Sequence, residues 1–207
     1  MNILLLMKGL LIGFSIAAPV GPIGVLCIRR TLAEGRKVGF VSGLGAASAD
    51  AVYGAVAGFG LSWVSTFLIE QVIILRLAGG LFLLYLGIKT IFTRPAEKNT
   101  GTVQNSGLWK AYASTFFVTL TNPMTILSFM AIFAGLGLAG GNANMLAAAI
   151  LVAGVFCGSA LWWLLLSSGV SLLGKRVQSH HLTWINRAAG LILLMFGMAV
   201  WYSVIAS

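Results

Sequence analysis

Six stretches of this chain run apolar for about twenty residues each without polar alternation, and that is the length a helix needs to cross a bilayer. They extend approximately over Leu4–Ile28, Val38–Gly60, Val72–Phe92, Ala111–Phe133, Met145–Val170 and Ala188–Ile205. In hydrocarbon every backbone N–H and C=O must find a partner inside the protein, which leaves helices and closed barrels as spanning structures. Barrel strands would alternate with period two, and these runs do not. With 59% hydrophobic residues, 8% charged residues and a mean hydropathy of +0.99, a soluble domain of 207 residues could not hide this much apolar surface. The expectation is an all-α integral membrane protein with six transmembrane helices.

The charges sort by side. If the chain crosses six times, the first, third and fifth loops share one face and hold Arg29, Arg30, Arg36, Lys37, Lys89, Arg94, Lys98, Lys110, Lys175, Arg176 and Arg187, while Lys8 and Arg76 remain on the other. The positive-inside rule then places the basic loops in the cytoplasm and both termini outside. Each of these cations reads as a solvated anchor, so the net charge of +9 calls for no nucleic-acid partner. The early Lys8 lies inside the first apolar run rather than before it, so that run reads as a span and not as a cleaved signal segment. Cys27 and Cys157 lack ligand-like spacing and His180–His181 has no matching acid or cysteine; no metal site and no cofactor are expected.

The two halves resemble each other. Ala78 to Gly87, AGGLFLLYLG, aligns with Ala188 to Gly197, AAGLILLMFG; Gly21 to Leu26 aligns with Asn122 to Leu127, and Gly45 to Tyr53, more weakly, with Gly154 to Trp162. Three-helix units in tandem must cross the membrane in opposite senses, so the expected architecture is two inverted repeats, the signature of secondary transporters with a site near mid-membrane. Residues 1–207 form one transporter domain, with repeat one at about 1–92, a polar linker at about 93–110 and repeat two at about 111–207.

The chemistry concentrates near the matched positions. Gly21-Pro22 and Asn122-Pro123 each read as an N-cap followed by proline at the first helical position, so the first and fourth helices are expected to be broken by proline. A half-helix N-terminus inside the membrane offers N–H groups and a partial positive charge to a carboxylate. The prolines also free the carbonyls of Ser15, Ala18 and Thr119, which can accept from an ammonium. Asp50 is the one carboxylate in the middle of a long apolar stretch, and such an acid marks a functional site by default. It shares a small-residue helical face with Gly43, Ala47, Gly54 and Ala57, and Tyr53, one turn on, is placed to donate to Asp50 or to a ligand. At 1.5 Å rise per residue, Pro19 to Gly24, Asp50 and Asn122 to Thr125 fall at one depth. The expected substrate-binding set is Pro19, Gly21, Pro22, Gly24, Asp50, Tyr53, Asn122, Pro123 and Thr125, with Asp50 also the proton-coupling residue.

The run PVGPIGVLCIRRTLAEGRKVGFVSGLGAASADAVY, followed by the Asn-Pro pair of the fourth span, resembles the lysine exporter (LysE/RhtB) superfamily of amino-acid efflux proteins. The resemblance covers the whole chain and is most specific at Gly21-Pro22, Gly35, Gly39, Gly45, Asp50, Tyr53 and Asn122-Pro123. Where many members carry a lysine after the Asn-Pro pair, this chain has Met124. The resemblance implies a non-enzymatic secondary transporter of the bacterial inner membrane that exports an amino acid or close derivative by proton antiport. Its implied partners are that small-molecule substrate, protons, membrane lipid and a second copy in a homodimer. A metal-ion effluxer would need clustered His, Asp or Cys in the spans, and a membrane enzyme acting on lipid-linked substrates would need a nucleophile or acid–base pair near a membrane face. Glu34, Glu70 and Glu97 are scattered in loops or at span ends and supply neither.

Overall fold

The computed structural model describes residues 2–19, 21–59, 70–92, 105–122, 125–126, 128–129, 145–174 and 179–205. Among these there are seven helices and no strand: α1 (Asn2–Ala17), α2 (Pro22–Glu34), α3 (Arg36–Gly58), α4 (Val72–Phe92), α5 (Asn105–Leu120), α6 (Met145–Gly174) and α7 (Ser179–Ile205). Helices α4, α6 and α7 each contain a segment long and apolar enough to cross a membrane, and α1 and α2, bent by 81° at their junction, qualify together as a fourth. The polarity of the bundle suits lipid. Leu4, Leu11, Ile74, Leu81, Leu165, Leu172, Leu191 and Met195 face outward, while Ser42, Thr115, Thr119, Ser159 and Asn186 are buried.

Proline sets the first break. The N–H of Ala18 closes α1 on the carbonyl of Phe14 at 3.0 Å, and Pro19 has no N–H to continue the ladder. The N–H of Gly21 turns back to the carbonyl of Pro19, Pro22 takes the first helical position, and α2 opens with the N–H of Val25 on the carbonyl of Gly21 at 3.0 Å. At the second break α5 stops at Leu120, and the N–H of Ile126 then reaches the carbonyl of Asn122 at 3.2 Å. The expected carbonyl of Thr119 is not free there, because it accepts the N–H of Asn122 at 3.2 Å. Pro123 and Met124 lie outside the described residues.

The stretch read as a basic loop is mostly helix. A single residue, Gly35, separates α2 from α3, and its φ of 95° is one that a side chain would oppose. Arg29 and Arg30 are therefore buried bonding partners and not solvated anchors. Arg30 Nη1 donates to Ser42 Oγ at 3.0 Å, to the carbonyl of Ala111 at 2.9 Å and to Thr115 Oγ1 at 2.8 Å, and Nη2 donates to Ser114 Oγ at 2.7 Å. One guanidinium thus ties α2 to α3 and to the start of α5, using the fork of donors that only arginine has. Arg29 reaches Glu34 at 3.4 Å and donates through Nε to Asn186 Oδ1 at 3.1 Å, which pins α2 to α7.

Two helices begin earlier than hydropathy indicates. α5 starts at Asn105 rather than near Ala111, with Trp109, Tyr112 and Phe116 stacked at helical spacing; α7 starts at Ser179 rather than near Ala188 and carries the Arg187–Trp184 cation–π contact. Polar and amphipathic residues at a bilayer surface end the apolar run without ending the helix.

Close approach of backbones holds the bundle, as expected where helices associate by van der Waals contact. Helix α1 lies on α6, where a Cβ at Gly13 would sit 2.0 Å from the carbonyl oxygen of Val155 and one at Gly158 2.0 Å from that of Leu10. Helix α4 lies on α7, with Gly87 against Gly190 and Gly80 against Gly197. Helix α3 runs between α5 and α6. Two buried clusters flank its middle, one containing Leu26, Ala46, Ala47, Leu83, Trp163 and Leu193, the other Ile12, Tyr53, Ile126, Phe129, Leu151 and Val155.

The glycine contacts predict an asymmetric response to substitution. Gly13→Val drives a side chain into the Val155 carbonyl and is expected to cost about 3 kcal/mol, whereas Gly54→Ala, whose Cβ meets Val155 Cγ1 at 3.5 Å, is tolerated. Thermal unfolding of the purified variants in detergent checks this; equal midpoints would contradict the packing.

Candidate functional site

The two breaks and the middle of α3 enclose one cavity of about 330 Å³. Its wall takes residues from all seven helices: Ile16 and Ala17 of α1, Pro22, Ile23 and Gly24 of α2, Ala46 and Asp50 of α3, Leu83 of α4, Thr119 of α5, Trp163 of α6, and Phe196 and Val200 of α7. Pro19, Gly21, Asn122, Thr125 and Ser128 complete it. The small residues of α3 explain why Asp50 can lie so deep: Gly43 lets Trp163 approach, Ala47 is fully buried and Gly54 lies against Val155.

Of the expected substrate-binding residues, Pro19, Gly21, Pro22, Gly24, Asp50, Asn122 and Thr125 line this cavity, and Pro123 lies outside the described residues. Tyr53 is placed differently. Its hydroxyl donates to the carbonyl of Leu120 and its ring lies 5.6 Å from Phe129, so it is directed at the end of α5 and not at Asp50. Position i+3 shares the helix face of Asp50, but the Leu120 carbonyl at the end of α5 is the acceptor that the hydroxyl takes there.

Asp50 is 3% exposed. Among the described residues its one hydrogen-bond partner is Ser159, whose Oγ donates to Oδ2 at 2.7 Å, and no Lys, Arg or His nitrogen lies within 4.0 Å of the carboxyl. Ser159 Oγ in turn accepts Nε1–H of Trp163 at 3.1 Å. A carboxylate has acceptor capacity for about four hydrogen bonds, so the group is under-satisfied on the wall of an open space. Sequence reasoning passed over Ser159, Trp163, Leu83 and Phe196, and of Thr119 it expected only the carbonyl. Only Ser159 had a signal, since the weak match of Gly45–Tyr53 to Gly154–Trp162 sets it opposite Asp50. Among the described residues no group of three or more His, Cys, Asp or Glu is gathered.

The sequence model of the LysE type translocator family matches residues 14–204, which covers both breaks, Asp50 and every wall residue of the cavity. The chain belongs to the LysE type translocator family. This LysE translocator is a membrane transporter and not an enzyme. It is 30% identical over 211 residues to "Putative amino acid efflux protein YcgF" of Bacillus subtilis (strain 168), an alignment spanning 98% of this chain and 96% of that protein. It is also 30% identical over 181 residues to "Uncharacterized membrane protein YahN" of Escherichia coli (strain K12), spanning 84% of this chain and 79% of that one. No solved structure matches the LysE translocator described here.

The position of Tyr53 generates a test. Tyr53→Phe leaves the Leu120 carbonyl without its donor and is expected to destabilise the purified translocator by about 1–2 kcal/mol. Because the hydroxyl does not reach the cavity, ligand affinity of the remaining folded protein stays unchanged. A large loss of affinity without loss of stability would place Tyr53 on the substrate instead.

Proposed function

We propose that this LysE translocator exports a neutral amino acid with an apolar side chain from the cytoplasm, in exchange for a proton carried by Asp50. The observation that carries this reading is a buried carboxyl on a cavity wall with one neutral donor and no cation in contact among the described residues. A buried carboxylate is costly unless a proton or a cation neutralises it. The empty carrier holds the proton; the substrate's ammonium, arriving from the cytoplasm, pairs with the carboxylate and releases it. After the amino acid leaves outside, a proton from that side replaces it.

The rest of the wall supports an amino acid as the cation. The substrate carboxylate lies against the helix start at Gly21–Gly24, where the first turn of α2 and its dipole favour negative charge, and near the break at Asn122. Its side chain meets Ile16, Ile23, Leu83, Trp163, Phe196 and Val200. Asp50 is the only charged residue on the described wall, so a second charge on the substrate would go unpaired. A volume of 330 Å³ is at the small end of ligand sites, as a single amino acid requires.

Alternating access follows from six spans arranged as two inverted repeats. The packing of α1 on α6 and of α3 on α5 exchange with each other when the halves are exchanged, and α3 on α6 and α4 on α7 each map onto themselves. The glycine pairs 80–197 and 87–190 also interchange under the alignment of AGGLFLLYLG with AAGLILLMFG, and Asp50 with Ser159 is such a self-mapping pair. These relations support a pseudo-two-fold axis passing between the paired residues, so that one repeat can rock against the other around the cavity. The bonds of Arg29 to Asn186 and Arg30 to Ala111, and the contacts of Gly87 with Gly190 and of Gly174 with Leu32, gather the ends of α2, α4 and α6 and the starts of α3, α5 and α7 at one end. Among the described residues that end carries Arg29, Arg30, Arg36, Lys37, Lys89, Lys110 and Arg187, and it is the cytoplasmic one.

Two measurements test this. In proteoliposomes, an imposed pH gradient drives leucine efflux by the parent protein, and Asp50→Asn reduces the gradient-driven part to background while the variant still folds and inserts. Efflux by Asp50→Asn with the parent's pH dependence would exclude the carrier role, and competition by lysine or glutamate as effective as that by leucine would exclude the apolar specificity. For topology, a membrane-impermeant maleimide applied to intact cells should label a cysteine placed at Ser207 and spare one placed at Lys98; labelling of both would overturn the arrangement.

A further inference from the structure

The chain of bonds behind Asp50 has a fixed direction. The indole N–H of Trp163 can only donate, so at 3.1 Å it takes a lone pair of Ser159 Oγ. The single hydroxyl proton of Ser159 then points to Asp50 Oδ2 at 2.7 Å, where it stabilises the carboxylate form and is strengthened by the donor behind it. Ser159 is itself fully buried and has no contact with bulk water to replace Asp50 as partner. Neighbouring titratable groups do not compete. Cys27, Arg29, Arg30 and Glu34 of α2, Lys8 of α1, Lys110 and Tyr112 of α5 and Cys157 of α6 make no hydrogen bond or ion pair with Asp50, and Tyr53 on α3 is committed to Leu120.

We infer that Ser159, oriented by Trp163, is the positioning residue that decides at which pH Asp50 exchanges its proton. When the carboxyl is ionised, the hydroxyl donates to a charged oxygen; when a proton returns to Oδ1, the same bond to Oδ2 stays but weakens, because its acceptor is then neutral. No other bond is made or broken, and the proton leaves to, or arrives from, the water that the cavity faces. Ser159 therefore biases the acid toward release and lets the substrate ammonium displace the proton without first overcoming the full cost of an isolated buried carboxylate. The assignment deepens the proton-exchange reading and rests on it for its role in transport, but the bond itself can be tested without substrate.

The test is infrared difference spectroscopy of the purified, substrate-free protein, titrated with acid. The carboxyl C=O band of protonated Asp50 is identified as the one missing from Asp50→Asn. In Ser159→Ala the midpoint of that band moves to higher pH by about one unit, because a hydrogen bond to the charged form is lost, and the band moves to higher frequency. Trp163→Phe gives a smaller shift in the same direction, and Ser159→Thr, which keeps a hydroxyl, restores the parent midpoint. A midpoint that Ser159→Ala leaves unmoved, in a variant whose unfolding temperature matches the parent, overturns the inference whatever transport shows. If the midpoint moves as expected but Asp50→Asn still exports leucine with the parent's pH dependence, only the transport role falls.

Discussion

A carboxyl group held away from water inside a membrane protein must be neutralised, and most of this structure can be understood from how Asp50 meets that requirement. Its helix is built from glycine, alanine and serine along one face, which lets α5 and α6 close around it. The price of that closeness is a helix less apolar than α6 beside it, stabilised by burial among its neighbours rather than by lipid. In front of Asp50 the breaks at Gly21 and Asn122 interrupt two other helices and leave a cavity, while behind it Ser159 and Trp163 offer one neutral hydrogen bond. That environment is sufficient to hold the acid and insufficient to satisfy its charged form, which is the condition a carrier of alternating cations needs.

The breaks have a second consequence. Because α2 leaves α1 at 81°, it crosses toward α3 and the starts of α5 and α7. Arg30 then finds three hydroxyls and a carbonyl, and Arg29 finds Asn186 and Glu34. Charged hydrogen bonds of this kind are worth about 1.5–3 kcal/mol each, but they offset the loss of hydration of a buried guanidinium and are better regarded as fixing position than as adding stability. They hold the half-helix whose N-terminus borders the cavity. The cavity and the end of the bundle that holds Arg29 and Arg30 are thus mechanically joined through α2.

Several of these features were legible in the sequence because a residue type allowed few alternatives. Proline after a capping residue located the break at Gly21, and an acid within an apolar run located Asp50. The helical character and the apolar exterior followed from run length alone. Arg29 and Arg30 were misread because hydropathy ends a span at the first charges, whereas the helix continues to Glu34 and turns at Gly35. The starts of α5 and α7 were missed for the same reason. Ser159 in an apolar run is indistinguishable by itself from a packing serine, and its meaning depends on a contact between distant helices. Tyr53 was placed correctly in its helix but aimed wrongly, since its direction depends on α5 and not on the spacing to Asp50.

The central claim is that an amino acid and a proton take turns on one carboxyl group. Calorimetric binding of leucine to the purified protein, repeated at one neutral pH in buffers of different ionisation enthalpy, measures this directly. The account predicts an apparent enthalpy that varies linearly with buffer ionisation enthalpy, with a slope corresponding to about one proton released per leucine bound, and no such slope in Asp50→Asn. An enthalpy identical in all buffers for the parent protein would contradict it.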